Sequence, residues 1–196
     1  MEDAMIRDLA IKNRSYRAYD RTRRITREEL VELVDMTRYV ASSVNDQPLK
    51  YYIASEEADV AKVQKMTIWA KGLPELNLPY PGTEPVAFVV ICIDENLRVG
   101  GRNYLRDVGA VAQTMLLAAV EKGLGGIMIG SIMKDSLKQF FNMPDNIEPS
   151  LVVAFGKPAE EIVITECKDG NTKYYRNAEG NIHYVPKRPL SEILMN

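Results

Sequence analysis

Apolar positions along the chain recur with two periods, one near 3.6 residues and one of continuous runs. Met5, Ile6, Leu9 and Ala10 fall at helical spacing, which predicts a helix over residues 2–12 with one buried face. A second helix is predicted to open at Thr26. Thr26 and Glu29 have the spacing of a capping box, in which each side chain satisfies the other residue's backbone N–H. Leu30, Leu33, Val34 and Thr37 continue one face, and the helix is expected to end near Tyr39 or Val40. Tyr51–Ser55 reads as a short strand. It is followed by a helix from about Glu56 to Lys71 that carries Val60, Val63, Met66 and Trp69. Residues 72–85, GLPELNLPYPGTEP, hold four prolines and two glycines and exclude sustained regular structure.

Val86–Ile93, VAFVVICI, is a continuous run of strand length rich in β-branched residues, as expected of a sheet covered on both faces. Residues 104–122, YLRDVGAVAQTMLLAAVEK, are apolar around most of a helix circumference beyond Asp107, which predicts a central, largely buried helix. Gly123 stands where a helix end calls for a left-handed residue. GIMIG (126–130) and SLVVAFG (150–156) read as further buried strands, with a short helix over 134–142 between them. From 157 onward the chain is more polar. NAEGN (177–181) reads as a turn between aromatic flanks and PLSEIL as a short final helix. The alternation predicts one domain over residues 1–196, α/β or α+β, with a helix-covered sheet.

Composition narrows the function classes. With 196 residues, 46% of them apolar, the chain can build a sizeable core without disulfides or metal. A net charge of −2 gives no electrostatic footprint for nucleic acid. Cys92 in an apolar run and Cys167 in a polar tail suit a reduced intracellular chain, not a disulfide framework. His183 is the single histidine, and CxxC and HExxH spacings are absent, so no metal site is expected. The N-terminal stretch MEDAMIRDLAIKNR mixes acids and bases without an apolar signal core, and no apolar run nears the roughly 18 residues of a spanning helix. A cytoplasmic location with no membrane partner is the expectation.

Several chemistries lack their motifs. There is no GxGxxG after the first strand, no GxxxxGK[ST] and no GxSxG. The glycines of LGGIMIG precede a strand, the wrong polarity for a phosphate loop that opens a helix. Four patches remain, each open to two readings. In NRSYR (13–17) two guanidiniums flank a hydroxyl and could grip a phosphate, or they are a basic helix end favourable to the dipole. In ASSVNDQP (41–48) Ser42, Ser43, Asn45 and Gln47 could bind a polar planar ligand, or they cap the preceding helix and satisfy the turn. At GIMIGS (126–131) Gly130 lets a backbone N–H approach a flat ring, or the segment is a plain connector with Ser131 as cap. In PKRP (186–189) Lys187 and Arg188 could complete a phosphate site, or they are a solvated basic pair.

Taken in order, these patches resemble the FMN-dependent nitroreductase family. The resemblance rests on RSYRAYD (14–20), ASSVNDQP (41–48), RDVGAVAQTMLLAAVEKGLGGIMIG (106–130) and VPKRPLSEIL (185–194), and covers nearly the whole chain. It implies an α+β fold with a helix-covered central sheet and an intertwined homodimer with FMN at the subunit interface. Arg14, Ser15 and Arg17 would hold FMN, with arginine on the phosphate and Arg17 reaching towards the pyrimidine edge. Lys187 and Arg188 would complete the phosphate grip. Ser42, Ser43 and Asn45 would reach the flavin of the other subunit, with Gln47 shaping that loop, and the Ile129–Gly130 backbone would face the flavin near N5.

The implied activity is hydride transfer from NADH or NADPH through FMN to a small planar acceptor, a nitroaromatic, a quinone or another flavin. Because the cofactor carries the hydride, no catalytic side chain is assigned. Positive charge near the pyrimidine end would stabilise the reduced, anionic ring. Trp69, Tyr80 and the proline-rich loop would line the open face, or that loop is plain surface. Asn13 stands where many members have arginine, Ala41 replaces a common proline and Leu49 a common aromatic, which marks a divergent branch. The alternatives are a flavin-storage or small-ligand-binding protein on the same dimeric scaffold, and a flavin-destroying or dehalogenating family member.

Overall fold

The computed structural model describes residues 6–70, 76–100, 103–177, 179 and 182–196. The central strand is β3 (Ala87–Asp94), and its period-2 alternation divides the core. Ala87, Val89, Ile91 and Ile93 face one cluster, while Phe88, Val90 and Cys92 face the other. The first face is covered by α2 (Arg27–Asp35) through Leu30 and Leu33. The long α4 (Leu105–Glu121) covers it too, through Val108, Val111, Ala112, Met115 and Ala119. The second is covered by α3 (Glu57–Lys65) through Val60 and Val63, and by α5 (Lys134–Phe140) through Leu137. An apolar run without polar interruption is thus a strand with helices on both sides.

β3 pairs on one side with β2 (Leu49–Ala54) and on the other with β5 (Ile147–Pro158). The far edge of β5 is shared by β4 (Gly125–Ile129) and by β1 (Tyr19–Asp20). Among the described residues, every strand pairing in this five-stranded sheet is antiparallel. That decides between the two expected classes in favour of α+β.

The capping box at Thr26 is formed: the Glu29 N–H donates to Thr26 Oγ1 at 3.2 Å and the Thr26 N–H to Glu29 Oε2 at 3.0 Å. Helix α2 continues as a 3-10 turn over Met36–Tyr39, ending where the periodicity placed it. Gly123 has φ +69 at the end of α4, as its position required. The N-terminal helix α1 spans Ile6–Lys12, with residues 2–5 of the expected helix outside the described residues.

One helix is shorter than expected. Instead of running to Lys71, α3 stops at Lys65, because the following residues find partners elsewhere. Ile68 N–H donates to Ser131 O at 2.9 Å and Met133 N–H to Met66 O at 2.9 Å. Long-range backbone bonds here replace the continuation that local propensity favours.

The polar C-terminal part contains a second sheet that the apolar pattern did not announce. β6 (Glu161–Glu166) runs parallel to β8 (Ile182–Lys187), and β7 (Tyr175–Arg176) pairs antiparallel with β8. Tyr175 and Tyr184 stack across that hairpin at 5.0 Å. Of the expected NAEGN turn, residues 178, 180 and 181 lie outside the described residues, as do 72–75 of the proline-rich loop. The final helix is α6 (Leu190–Ile193).

Candidate functional site

On leaving α1 the chain runs along β4. Ser15 bridges Gly126, and Tyr16 N–H donates to Gly126 O at 3.2 Å. Gly126 is also pressed against β5 and α4: a Cβ there would sit 2.3 Å from Ala154 O and 2.7 Å from Leu116 Cδ2. The Ser15 and Tyr16 contacts hold the segment 13–17 against the sheet, and its polar side chains line a cavity of about 330 Å³. Asn13, Arg14, Ser15 and Arg17 form one wall, with Gln113 and Leu116 of α4 and Met128 of β4 beside them. The rest of the lining comes from the second sheet and its approach: Ile162, Tyr174, His183, Val185 and Lys187.

Four of the residues expected to hold FMN, Arg14, Ser15, Arg17 and Lys187, therefore meet in one cavity. Arg14 serves both readings of its patch. Its Nη2 donates to Ala10 O at 2.6 Å and its Nε to Asn13 O at 2.6 Å, closing the end of α1, while the residue also lines the cavity. Arg188 does not join them. Its guanidinium donates to Glu192 Oε2 at 2.7 Å, an i,i+4 pair on the surface.

Behind the cavity lies a buried ionic group. Glu160 accepts from the backbone N–H of Arg17 and, at 3.1 Å, from that of Ala18, and it pairs with Arg176. The Arg176 and Glu160 side chains are 3% and 2% exposed, so the pair is screened little by water. The Arg17 guanidinium lies 5.3 Å from the Tyr174 ring centre, and Tyr174 stacks on His183 at 5.2 Å. Burial lowers the pKa of Arg17, with Tyr174 and Glu160 acting against it. Burial, then Arg17 and Arg176, push His183 down to about 4, so its imidazole is neutral at neutral pH.

A second cavity of about 190 Å³ shares Arg17, Met128 and Tyr174 with the first. Its other walls are mostly apolar: Ile68, Trp69, Ala70, Ile127 and Ile129, with Gly130 and Ser131. At Gly130 a Cβ would meet nothing within 4 Å, so the space beside this backbone is open. Together the two cavities offer a cationic end and an apolar body, the shape and polarity of a ligand with an anionic tail and a flat ring.

The 41–48 stretch stands apart. Ala41, Ser42 and Gln47 line a third cavity, of about 140 Å³, with Arg38, Tyr51 and Asp107. Asp107, buried in the first turn of α4, accepts from Ser42 Oγ at 2.7 Å and from Ser43 N–H at 2.9 Å. Ser42 Oγ also accepts from Gln47 N–H at 3.0 Å. Within one chain, then, Ser42 and the Ser43 backbone are engaged with α4, while the side chains of Ser43, Asn45 and Gln47 are exposed.

Sequence reasoning missed Gln113, Met128 and Tyr174 as lining residues, and weighed His183 as a metal ligand but not as part of this cavity. Gln113 carried a signal, a lone amide within AVAQTMLL; Tyr174 and His183 carried none, since only the second sheet brings them here.

The sequence model described as the nitroreductase family matches residues 11–157, and the chain belongs to that family. A relative from Archaeoglobus fulgidus, provisionally named NADH dehydrogenase/NAD(P)H nitroreductase, is 24% identical over 161 residues, which are 80% of this chain and 87% of the relative. A nitroreductase family protein of Clostridium difficile has the same fold, with TM-score 0.67, 22% identity and 97% of each chain covered. So does one from Streptococcus pneumoniae, with TM-score 0.68, 15% identity and 98% of this chain and 100% of that one covered. No described helix is long and apolar enough to cross a membrane.

Proposed function

We propose that this chain is an FMN-dependent oxidoreductase that passes hydride from NADH or NADPH to a small planar acceptor: a nitroaromatic, a quinone or another flavin. It would act in the cytoplasm as one domain over residues 1–196 and as a homodimer, without nucleic-acid or membrane partners. The observation that carries this is the meeting of the cationic and apolar cavities at Arg17, Met128 and Tyr174. FMN has the matching parts, a phosphate tail and a flat ring, and when bound it supplies the acceptance and donation of hydride.

The chain's own residues bind, orient and exclude water. Arg14, Arg17 and Lys187 offer charge-assisted donors to the phosphate, with Ser15 adding a neutral one. Met128, Ile129 and Trp69 give the ring an apolar wall, and the open space beside Gly130 lets it approach the strand end. Arg17, common to both cavities, places fixed positive charge where it favours an electron-rich ring over a neutral one. In the dimer, Ser42, Ser43, Asn45 and Gln47 of one copy would meet the flavin of the other, which suits the exposure of three of them here.

The test is direct. Purified protein should be yellow or take up added FMN, and NADH or NADPH should bleach it without oxygen, with colour restored by a nitroaromatic or quinone. Protein that stays colourless with excess FMN refutes the reading. Yellow protein that neither nicotinamide bleaches is a flavin-binding protein and not an oxidoreductase.

A further inference from the structure

His183 is the only histidine of the chain and lies in β8 on the wall of the cationic cavity. It is 1% exposed, and its Nδ1 is shut off from solvent and has no hydrogen-bond partner among the described residues. Buried polar atoms are nearly always bonded, so this unbonded nitrogen belongs to an imidazole whose hydrogen bonding the described residues of the free chain leave incomplete. The charges around it are one-sided. Arg17, from the segment after α1, and Arg176, from β7, both bear on the imidazole. Glu160, the carboxylate of this group, is already engaged by Arg176 and by two backbone N–H groups. The Tyr174 ring lies against the imidazole, and Arg14 and Lys187 line the same cavity.

A phosphate group placed among those cations offsets much of their field at the imidazole. It also presents acceptors to a ring that, once protonated, donates from both nitrogens. We propose that His183 is an anion-linked proton acceptor, neutral in the free protein at neutral pH and holding a proton from solvent more readily when a phosphate group binds among Arg14, Arg17 and Lys187. The source of that phosphate rests on the flavin-nucleotide reading above; free phosphate presents the same chemistry. The sign follows from linkage. The free-state pKa of about 4 rises in the complex, so the gain in affinity is complete below about 4 and is lost as pH rises through the raised value.

One histidine makes the test clean. The full chain is labelled with isotopic histidine, and the imidazole resonances are titrated with pH in four states: free, with FMN, with riboflavin and with inorganic phosphate. Flavin binding is followed separately by fluorescence quenching. The expected result is a low value in the free protein, an upward shift of about one unit or more with FMN and with phosphate, a tenfold coupling or greater, and little change with riboflavin. Between about pH 4 and pH 5, where the two states differ in protonation, a His183→Gln variant should lose the wild-type excess of protons taken up on FMN binding. The proposal is overturned if bound FMN leaves the His183 titration unmoved, if riboflavin moves it as far as FMN does, or if neither FMN nor phosphate binds. Failure to bind FMN together with a phosphate-induced shift would refute the flavin reading alone and leave free phosphate as the ligand.

Discussion

Gly126 and Gly130, four residues apart on one strand and its exit, are expected to respond oppositely to alanine. At Gly126 the new methyl would stand 2.3 Å from Ala154 O, 2.7 Å from Leu116 Cδ2 and 3.3 Å from Phe155 Cδ1. The Leu116 side chain can turn away. The carbonyl cannot, because Ala154 lies in β5 with β3 on one side and β4 on the other. Overpacking against backbone falls at the upper end of the usual range, about 3 kcal/mol. For a chain of this size that lowers the melting temperature by roughly 6–12 °C. At Gly130 the methyl meets nothing and the backbone is not left-handed. Alanine there should leave stability unchanged or raise it by about 0.4–1 kcal/mol. Its methyl enters the open space where the ring is proposed to lie, so FMN should bind roughly tenfold or more weakly, about 1.4 kcal/mol. Thermal melts of both variants without ligand, and FMN titrations of the second, separate the effects. A Gly126→Ala protein within about 1 kcal/mol of wild type would refute the packing argument. A Gly130→Ala protein with undiminished FMN affinity would move the ring elsewhere.

Thr26→Ala should cost about 1 kcal/mol in denaturant melts, since both arms of the capping box are formed; an effect near zero would mean that Glu29 alone caps α2. Arg14→Ala should weaken FMN binding by about tenfold to a hundredfold, the worth of a charge-assisted contact, and unchanged affinity would show that the phosphate lies elsewhere. Glu160→Ala should destabilise by about 3–5 kcal/mol, because it removes the buried acceptor of the Arg17 and Ala18 N–H groups and one half of a buried ion pair; a loss under about 1 kcal/mol would show that water reaches the pair. The depressed pKa of His183 means that the unfolded chain binds more protons between pH 6.5 and about 4. Stability should therefore rise with pH across that window, and His183→Gln should flatten the rise measured by urea midpoints. Identical slopes in the two proteins would refute a buried neutral imidazole.

The elements legible in the sequence are those whose burial is decided locally. VAFVVICI could only be a strand covered on two faces, and Thr26 with Glu29 sets the start of α2 by contacts three residues apart. Elements decided at a distance were not legible. The end of α3 is fixed by bonds from Met66 and Ile68 to residues 131–133, which no local pattern announces. In EIVITE (161–166), Ile162, Val163 and Ile164 make an apolar run of only three residues without a polar alternation, and half of the segment is exposed. Its parallel partner enters the sequence only at Ile182. The cavity divides along the same line: the basic patch after α1 could be read as a site, whereas Tyr174 and His183 became part of it through that late pairing.

The 41–48 loop shows how one polar stretch can serve two ends. Ser42 and the Ser43 N–H satisfy Asp107, which is the capping explanation in a longer-range form. That leaves unexplained a backbone in the left-handed region at Val44, Asn45 and Gln47, with φ of 46, 59 and 50. For a β-branched residue such as Val44 this is strained by about 1–3 kcal/mol. The loop holds because it is pinned at both ends: Asp107 binds Ser42 and Ser43, and the Tyr104 hydroxyl donates to Asp46 Oδ2 at 2.6 Å. A capping turn has no need of such restraint, since relaxed turns do the same work. The restraint has one evident product, outward-facing Ser43, Asn45 and Gln47 side chains on a fixed frame, with the Gln47 amide donating to Asn45 Oδ1 at 3.1 Å. Neutral donors and acceptors held rigid and facing outward are what a site shared with a second copy requires of the copy that lends them.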